Sequence, residues 1–149
     1  MKCRTVKQPW ASLLVHGVTQ YLVSGWRTYY RGPLAIHASA RFPRSHVELC
    51  CEADMRRLLR QHGYEYVIEL PMQAVLGTVN VADCLPVTAE NRDIFDPEDP
   101  AVVFGLVQPD RWVWVCSSHE LLFQPIPLVG RLGLFNVPDS IVTDSLNKE

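Results

Sequence analysis

Three consecutive pieces of sequence decide the fold: KQPWASLLVHG (Lys7–Gly17), VTQYLVSGW (Val18–Trp26) and RTYYRGPLAIHAS (Arg27–Ser39). The first predicts a short helix over Gln8 to Gly17. Pro9 suits the first helical position, where its missing N–H costs nothing, and Gly17 suits a left-handed cap at the end. Leu13, Leu14 and Gly17 follow Trp10 by three, four and seven residues, so one face is apolar. The second piece mixes β-branched and aromatic residues and predicts a strand from Val18 to Gly25. The turn Tyr29-Tyr30-Arg31-Gly32-Pro33 then leads to a second strand, in which Leu34 and Ile36 alternate with Ala35 and His37.

These pieces resemble the ASCH domain, the homology domain of the activating signal cointegrator, within the PUA-like group of small β-barrels. The resemblance rests on Gln8-Pro9-Trp10-Ala11-Ser12-Leu13-Leu14, on Gly17 through Trp26, and on Arg31-Gly32 through Ile36-His37-Ala38-Ser39. Further along, Leu76-Gly77-Thr78-Val79 through Asp83-Cys84 is similar to the family's LGxVxLxDC strand. Arg111-Trp112-Val113-Trp114 and Pro125-Ile126-Pro127 through Gly130-Arg131-Leu132-Gly133 are similar to its closing strands. The resemblance spans roughly residues 2 to 137 and implies an ASCH domain over 1–138, followed by a C-terminal tail over 139–149. The implied architecture is α+β: a PUA-like small mixed β-barrel of six or seven strands with two flanking helices.

The chain departs from the family pattern at the positions that carry chemistry. Aligned on Gly17 and Trp26, the family's Lys falls on Thr19, its Glu on Leu22 and its Arg on Ser24. Members that hydrolyse acylated nucleosides are thought to use a Lys, a Thr and a Glu here, and a deacylating site needs an activated nucleophile. Leu22 supplies neither charge nor base. The resemblance therefore implies a binding cleft beside the first helix without the family's amidohydrolase chemistry, and no catalytic residue is assigned. Lys7 offers a substitute amine or a solvated surface charge.

The rim of that cleft is expected to draw on Lys7, Gln8, Trp10, Thr19, Ser24, Trp26, His37, Ser39 and Asp83, an aromatic and mostly uncharged polar lining. Trp10 and Trp26 offer faces for stacking a base, or serve as core anchors. Gln8, Thr19, Ser24 and Ser39 offer donors and acceptors for base edges or a ribose hydroxyl. Arg27, Arg31, Arg41 and Arg44 surround the mouth in sequence and can meet phosphates, although an arginine before a glycine also serves to hold a turn. His37 is a general base in one reading and a satisfied structural histidine in the other. Asp83 is in phase with Val79 and Val81, which points it to their side as a pocket acceptor, or as a partner for turn amides or an arginine. The implied ligand is RNA or a modified nucleoside. A nuclease or altered amidohydrolase, and a protein-interaction module of transcriptional regulation, remain as alternatives.

Length and composition are those of one globular domain: 149 residues, 48% hydrophobic and 20% charged. A formal net charge of −2 excludes a uniformly basic nucleic-acid protein but leaves room for a local basic face. Five cysteines, an odd count with Cys50 and Cys51 adjacent, give neither a disulfide framework nor metal spacing, so no cofactor or metal is expected. No signal peptide is read at the start and no apolar run is long enough for a bilayer, so a cytoplasmic monomer without membrane contact is expected.

The remainder predicts smaller elements. Ser45-His46-Val47-Glu48 has capping-box spacing for a helix running to His62, with Val47, Cys51, Met55, Leu58 and Leu59 as its buried stripe and Arg56, Arg57 and Arg60 on an exposed face. Strands are expected at Tyr64–Leu70, within Met72–Val87, at Val102–Val107, around Trp112–Cys116, at Leu121–Pro127 and at Leu132–Val137. Thr88 to Pro100, with Glu90, Asp93, Asp96, Glu98 and Asp99, reads as an exposed acidic loop that repels nucleic acid.

Overall fold

In the computed structural model, residues 1–140 are described; from residue 141 onward the expected tail lies outside the described residues. Six strands build one mixed sheet: β1 (Lys2–Val6), β2 (Tyr21–Ser24), β3 (Gly32–Ala38), β4 (Ala74–Pro86), β5 (Trp112–Pro127) and β6 (Leu134–Asn136). They lie in the order β2-β5-β4-β3-β1-β6. The pair β1–β3 is parallel and the other pairings are antiparallel. Among the described residues, four α-helices accompany them: α1 (Trp10–Val15), α2 (Arg44–Cys51), α3 (Ala53–Gln61) and α4 (Pro100–Val103). The domain is α+β, with the small PUA-like barrel-like sheet that the sequence implies.

The alternation along β3 divides the core. Leu34 and Ile36 join the larger cluster beneath α1, with Trp10, Leu13, Leu14, Leu76, Val79 and Trp114. Ala35 faces the opposite way into a smaller cluster with Cys3, Val75, Leu122, Phe135 and Val137. Burying both faces of a central strand is what a period of two with apolar residues in both phases dictates. α1 is shorter than its sequence pattern, and Pro9 takes its N-cap. Gly17, at φ +72°, closes it with the paired contacts Val18 N–H to Leu13 O and Gly17 N–H to Leu14 O, a Schellman ending.

Several local expectations are corrected. The single helix over Ser45–His62 is two helices that meet at Glu52, whose backbone is extended. Cys50 and Met55 are both in the core. Five residues apart on a straight helix, they would point about 140° from each other. The break turns both inward and leaves Cys51, not Cys50, exposed. The capping box does not form, because α2 starts after Pro43 and Glu48 pairs with Arg44 at 3.0 Å. Tyr64–Leu70 is a 3₁₀ turn at Val67–Glu69, in which the Glu69 carboxylate accepts from the Tyr66 N–H. Side chains that satisfy the backbone locally compete with a ladder. Val102–Val107 is α4 and its exit, since Asp99 caps the helix and Pro100 opens it. The two expected strands after Asp110 are one continuous β5.

α1 sits close on the sheet because residue 77 has no side chain. A Cβ at Gly77 would run into the Glu120 carbonyl oxygen and lie 3.0 Å from the Val15 side chain. Gly77→Ala is expected to lower stability by about 1–3 kcal/mol through overpacking, measured as a shift of the urea midpoint.

His16 caps α1, and its Nε2 shares a 2.9 Å hydrogen bond with the Tyr64 hydroxyl. Burial, reinforced by His62, pulls its pKa below the ordinary 6.5. The unfolded ring therefore takes up a proton that the folded ring resists. Stability is full above about pH 6.5 and falls as the pH drops below it. The urea midpoint is expected to decline over that acid range, and His16→Asn should flatten the decline.

Candidate functional site

Beside α1 the molecule is hollow, and β1 divides the hollow in two. The first cavity, about 750 Å³, lies between β1, α1, β2 and the segment after α4; Arg4, Lys7, Trp10, Leu22, His46 and Arg111 line it. The second, about 590 Å³, lies on the other side, with Trp26, His37, Ser39, Arg41 and Arg131 in its wall. Arg4, Thr5 and Lys7 belong to both. Both volumes fall in the range of small-molecule sites. The expected single mouth flanked by Trp10 and Trp26 is thus two adjoining hollows with a ridge between them.

The lining is cationic, where an uncharged polar one was expected. Arg4, Lys7 and Arg111 face the first cavity, with Asp110 the one carboxylate in its wall. Arg4, Lys7, Arg41 and Arg131 face the second, whose lining residues include no carboxylate. Arg4 is the central member. Its guanidinium lies 4.7 Å from the Trp26 ring centroid and 4.3 Å from that of Trp114, while the two indoles meet edge to face. Stacking on indole suits the weakly hydrated guanidinium plane. Burial lowers its pKa from 12.5 to about 10, with Cys116 and Cys84 opposing the shift, so it remains a cation at neutral pH. Among the described residues, two side chains keep a buried nitrogen without a hydrogen-bond partner: Arg4 at Nη1 and Trp10 at Nε1. Both residues line the first cavity.

The uncharged polar residues expected at the rim are used by the protein itself. Gln8 is fully buried: its amide nitrogen donates to Ser12 Oγ and to the Pro71 carbonyl, each at 2.8 Å, and its oxygen accepts from the Ser12 N–H at 3.0 Å. Thr19 donates to Asp99 Oδ1 at 2.6 Å. Ser24 accepts from the Trp26 N–H at 3.2 Å. None of the three lines either cavity. Asp83 is also outside them and exposed, because the register with β5 shifts between Val81 and Asp83. The extra residue of a β-bulge reverses the alternation that the sequence phase assumes. Its carboxylate accepts from the Cys84 N–H at 2.8 Å and pairs with Arg31 at 3.5 Å.

His37 and Ser39 reach the second cavity with other bonds in place. The Leu128 carbonyl can only accept, so His37 Nε2 donates to it, and in the neutral ring Nδ1 accepts from Thr5 Oγ1 at 3.1 Å. Ser39 accepts from the Arg41 N–H at 3.0 Å. Gly130 lies over the imidazole so closely that a Cβ there would come within 2.7 Å of His37 Cε1. The imidazole is a strut for the loop from Leu128 to Gly133.

Of the four arginines expected around the mouth, Arg41 lines a cavity. Arg27 stacks on Tyr29 and Trp112, Arg31 holds its turn through the Thr28 and Tyr30 carbonyls, and Arg44 pairs with Glu48. Sequence reasoning missed Arg4, Arg111 and Arg131. Arg4 was detectable as a charge in the apolar-flanked run Cys3-Arg4-Thr5-Val6, and the other two stand inside the motifs quoted above.

No family model matches the chain. Activating signal cointegrator 1 of Homo sapiens is 30% identical to it over 139 residues, and activating signal cointegrator 1 of Mus musculus 34% identical over 139 residues. Each alignment covers 93% of this chain and 22% of the relative, so the chain spans about a fifth of these proteins' length. The chain belongs to the ASCH-domain family.

In this ASCH domain the departures from the family pattern have clear structural settings. Leu22 forms part of the wall of the first cavity and does not fill it. Thr19 belongs to a bracket built on Asp99, which sequence reasoning placed in the exposed acidic loop. Asp99 is buried and also accepts from the Gln20 N–H at 2.8 Å and the Ala101 N–H at 2.9 Å. It ties the entry to β2 to α4, and the residues after α4 form the far wall of the first cavity. Asp99→Ala leaves three donors without this acceptor, and each unsatisfied buried group costs about 1–3 kcal/mol. A loss of at least about 2 kcal/mol in urea unfolding is expected, with increased hydrogen exchange at Gly105 to Arg111.

Proposed function

We propose that this ASCH domain binds single-stranded RNA, or a modified nucleoside carried by it, in the cationic cleft beside α1. The observation that carries this reading is Arg4: a stacked cation with a buried N–H unpaired, in the walls of both cavities and without a carboxylate partner among the described residues. A charge taken from water without a counter-ion is costly, and a phosphate would supply the missing acceptor. Lys7, Arg41, Arg111 and Arg131 extend the positive rim. Trp26, 40% exposed, adds a face for a base.

The same arrangement speaks for binding over hydrolysis. Of the groups an altered hydrolase would draw on, Lys7, Thr19, Ser24, His37 and Asp83, the last four are engaged by other parts of the protein, and Lys7 alone stands on the cleft without such a bond. Activating signal cointegrator 1 is named for a role in activation, and a protein-interaction role for this domain is the competing outcome of the test.

Binding of a short fluorescent single-stranded RNA, measured by anisotropy across a salt series, tests the proposal. If two to four phosphates are neutralised, the slope of log K against log salt should be about −1.4 to −2.8. The exposed variant Lys7→Ala/Arg41→Ala/Arg131→Ala should weaken binding at least about tenfold and flatten the slope, with an unchanged urea midpoint. Absence of binding at low salt would overturn the reading. Capture of a stoichiometric protein partner without RNA would then favour the interaction role.

A further inference from the structure

We propose that the unit recognised is a dinucleotide step, one nucleotide in each cavity, with the linking phosphodiester seated on the β1 ridge at Arg4 and Lys7. This rests on the RNA reading and adds to it the size and register of the ligand. Two hollows of about 750 and 590 Å³ share Arg4, Thr5 and Lys7 and no other lining residue. A single nucleoside would leave one of them empty, whereas a strand crossing the ridge must place its backbone on it. The ridge carries what a backbone needs: two cations, one of them with Nη1 unpaired.

The two cavities differ in what they offer a base. The first has an apolar wall of Leu14, Leu22, Val23 and Leu106 around Trp10, whose Nε1 donor lacks a partner although the residue is only 7% exposed. That pocket suits a largely desolvated base with an acceptor at its edge. The second offers the open indole of Trp26 with Arg41 and Arg131 at the rim, which suits a stacked base and the next phosphate. Arg4 lies against the Trp26 indole, so the phosphate seat and the stacking face form one rigid unit.

Isothermal titration of the intact chain with UMP, the dinucleotide UpU, the trinucleotide UpUpU and UpU bearing an uncharged methylphosphonate linkage tests this. UpU is expected to bind at least about tenfold more tightly than UMP, the methylphosphonate to lose most of that gain, and the third nucleotide to add less than the second. Lys7→Ala should reduce the UpU advantage at an unchanged urea midpoint. Equal affinity for UMP and UpU, with longer RNA still bound, would overturn the dinucleotide register and leave the RNA reading standing. If neither UpU nor a long oligouridylate or oligoadenylate binds at low salt, both fall.

Discussion

A guanidinium packed against two indoles, with no carboxylate partner among the described residues, is the constraint around which the site is organised. Arg4 stands in β1, whose parallel pairing with β3 and antiparallel pairing with β6 fix its position from both sides. Trp114 is wholly buried and Trp26 is 40% exposed. The cation–π contacts recover part of its hydration, on the order of 1–2 kcal/mol. They cannot supply a counter-charge. On the proposed reading, this group at the junction of two cavities is the seat of an anion.

Polar residues in this fold divide into two kinds. Gln8, Thr19, Asp99 and His37 are internal brackets: each is buried and each joins segments distant in sequence. Lys7, Arg41, Arg111 and Arg131 are exposed and carry the charge. The brackets hold the elements around the cavities, and the cations line them. A near-neutral chain can therefore present a locally basic cleft, because Asp110 is the one carboxylate among the described residues that lines either cavity. No helix among the described residues is long and apolar enough to cross a membrane.

The frame was legible in sequence wherever a local rule had no competitor. Gly17 ends α1 because a left-handed cap needs a glycine, and the Leu34–Ile36 alternation placed β3 in phase. Reading failed where a tertiary partner altered a local pattern. Asp83 was put on the buried side because a bulge two residues earlier leaves no mark in hydrophobic periodicity. Asp99 looked like one more acid of a loop, although the Asp-Pro pair is a helix start; only the fold brings Thr19 and Gln20 to it. The site was half readable for the same reason. Residue type announced Trp10, Trp26 and Lys7, but Gln8 and Ser24 are equally polar on paper and are used internally. Arg4 gains its meaning from Trp114, more than a hundred positions away.

The two cavity walls hang from separate tethers. The segment from Gly105 to Arg111 is held by the Arg92 guanidinium on the Val107 carbonyl and by the Val87 N–H on the Arg111 carbonyl, and the loop after Leu128 by His37 on the Leu128 carbonyl and by the Leu128 N–H on the Gln73 carbonyl. The Val87–Arg111 and Gln73–Leu128 contacts lie one residue beyond the two ends of the β4–β5 ladder, so each wall hangs from one end of that strand pair. The two walls are thus set by opposite ends of one strand pair, and fraying at either end would open the cavity on that side.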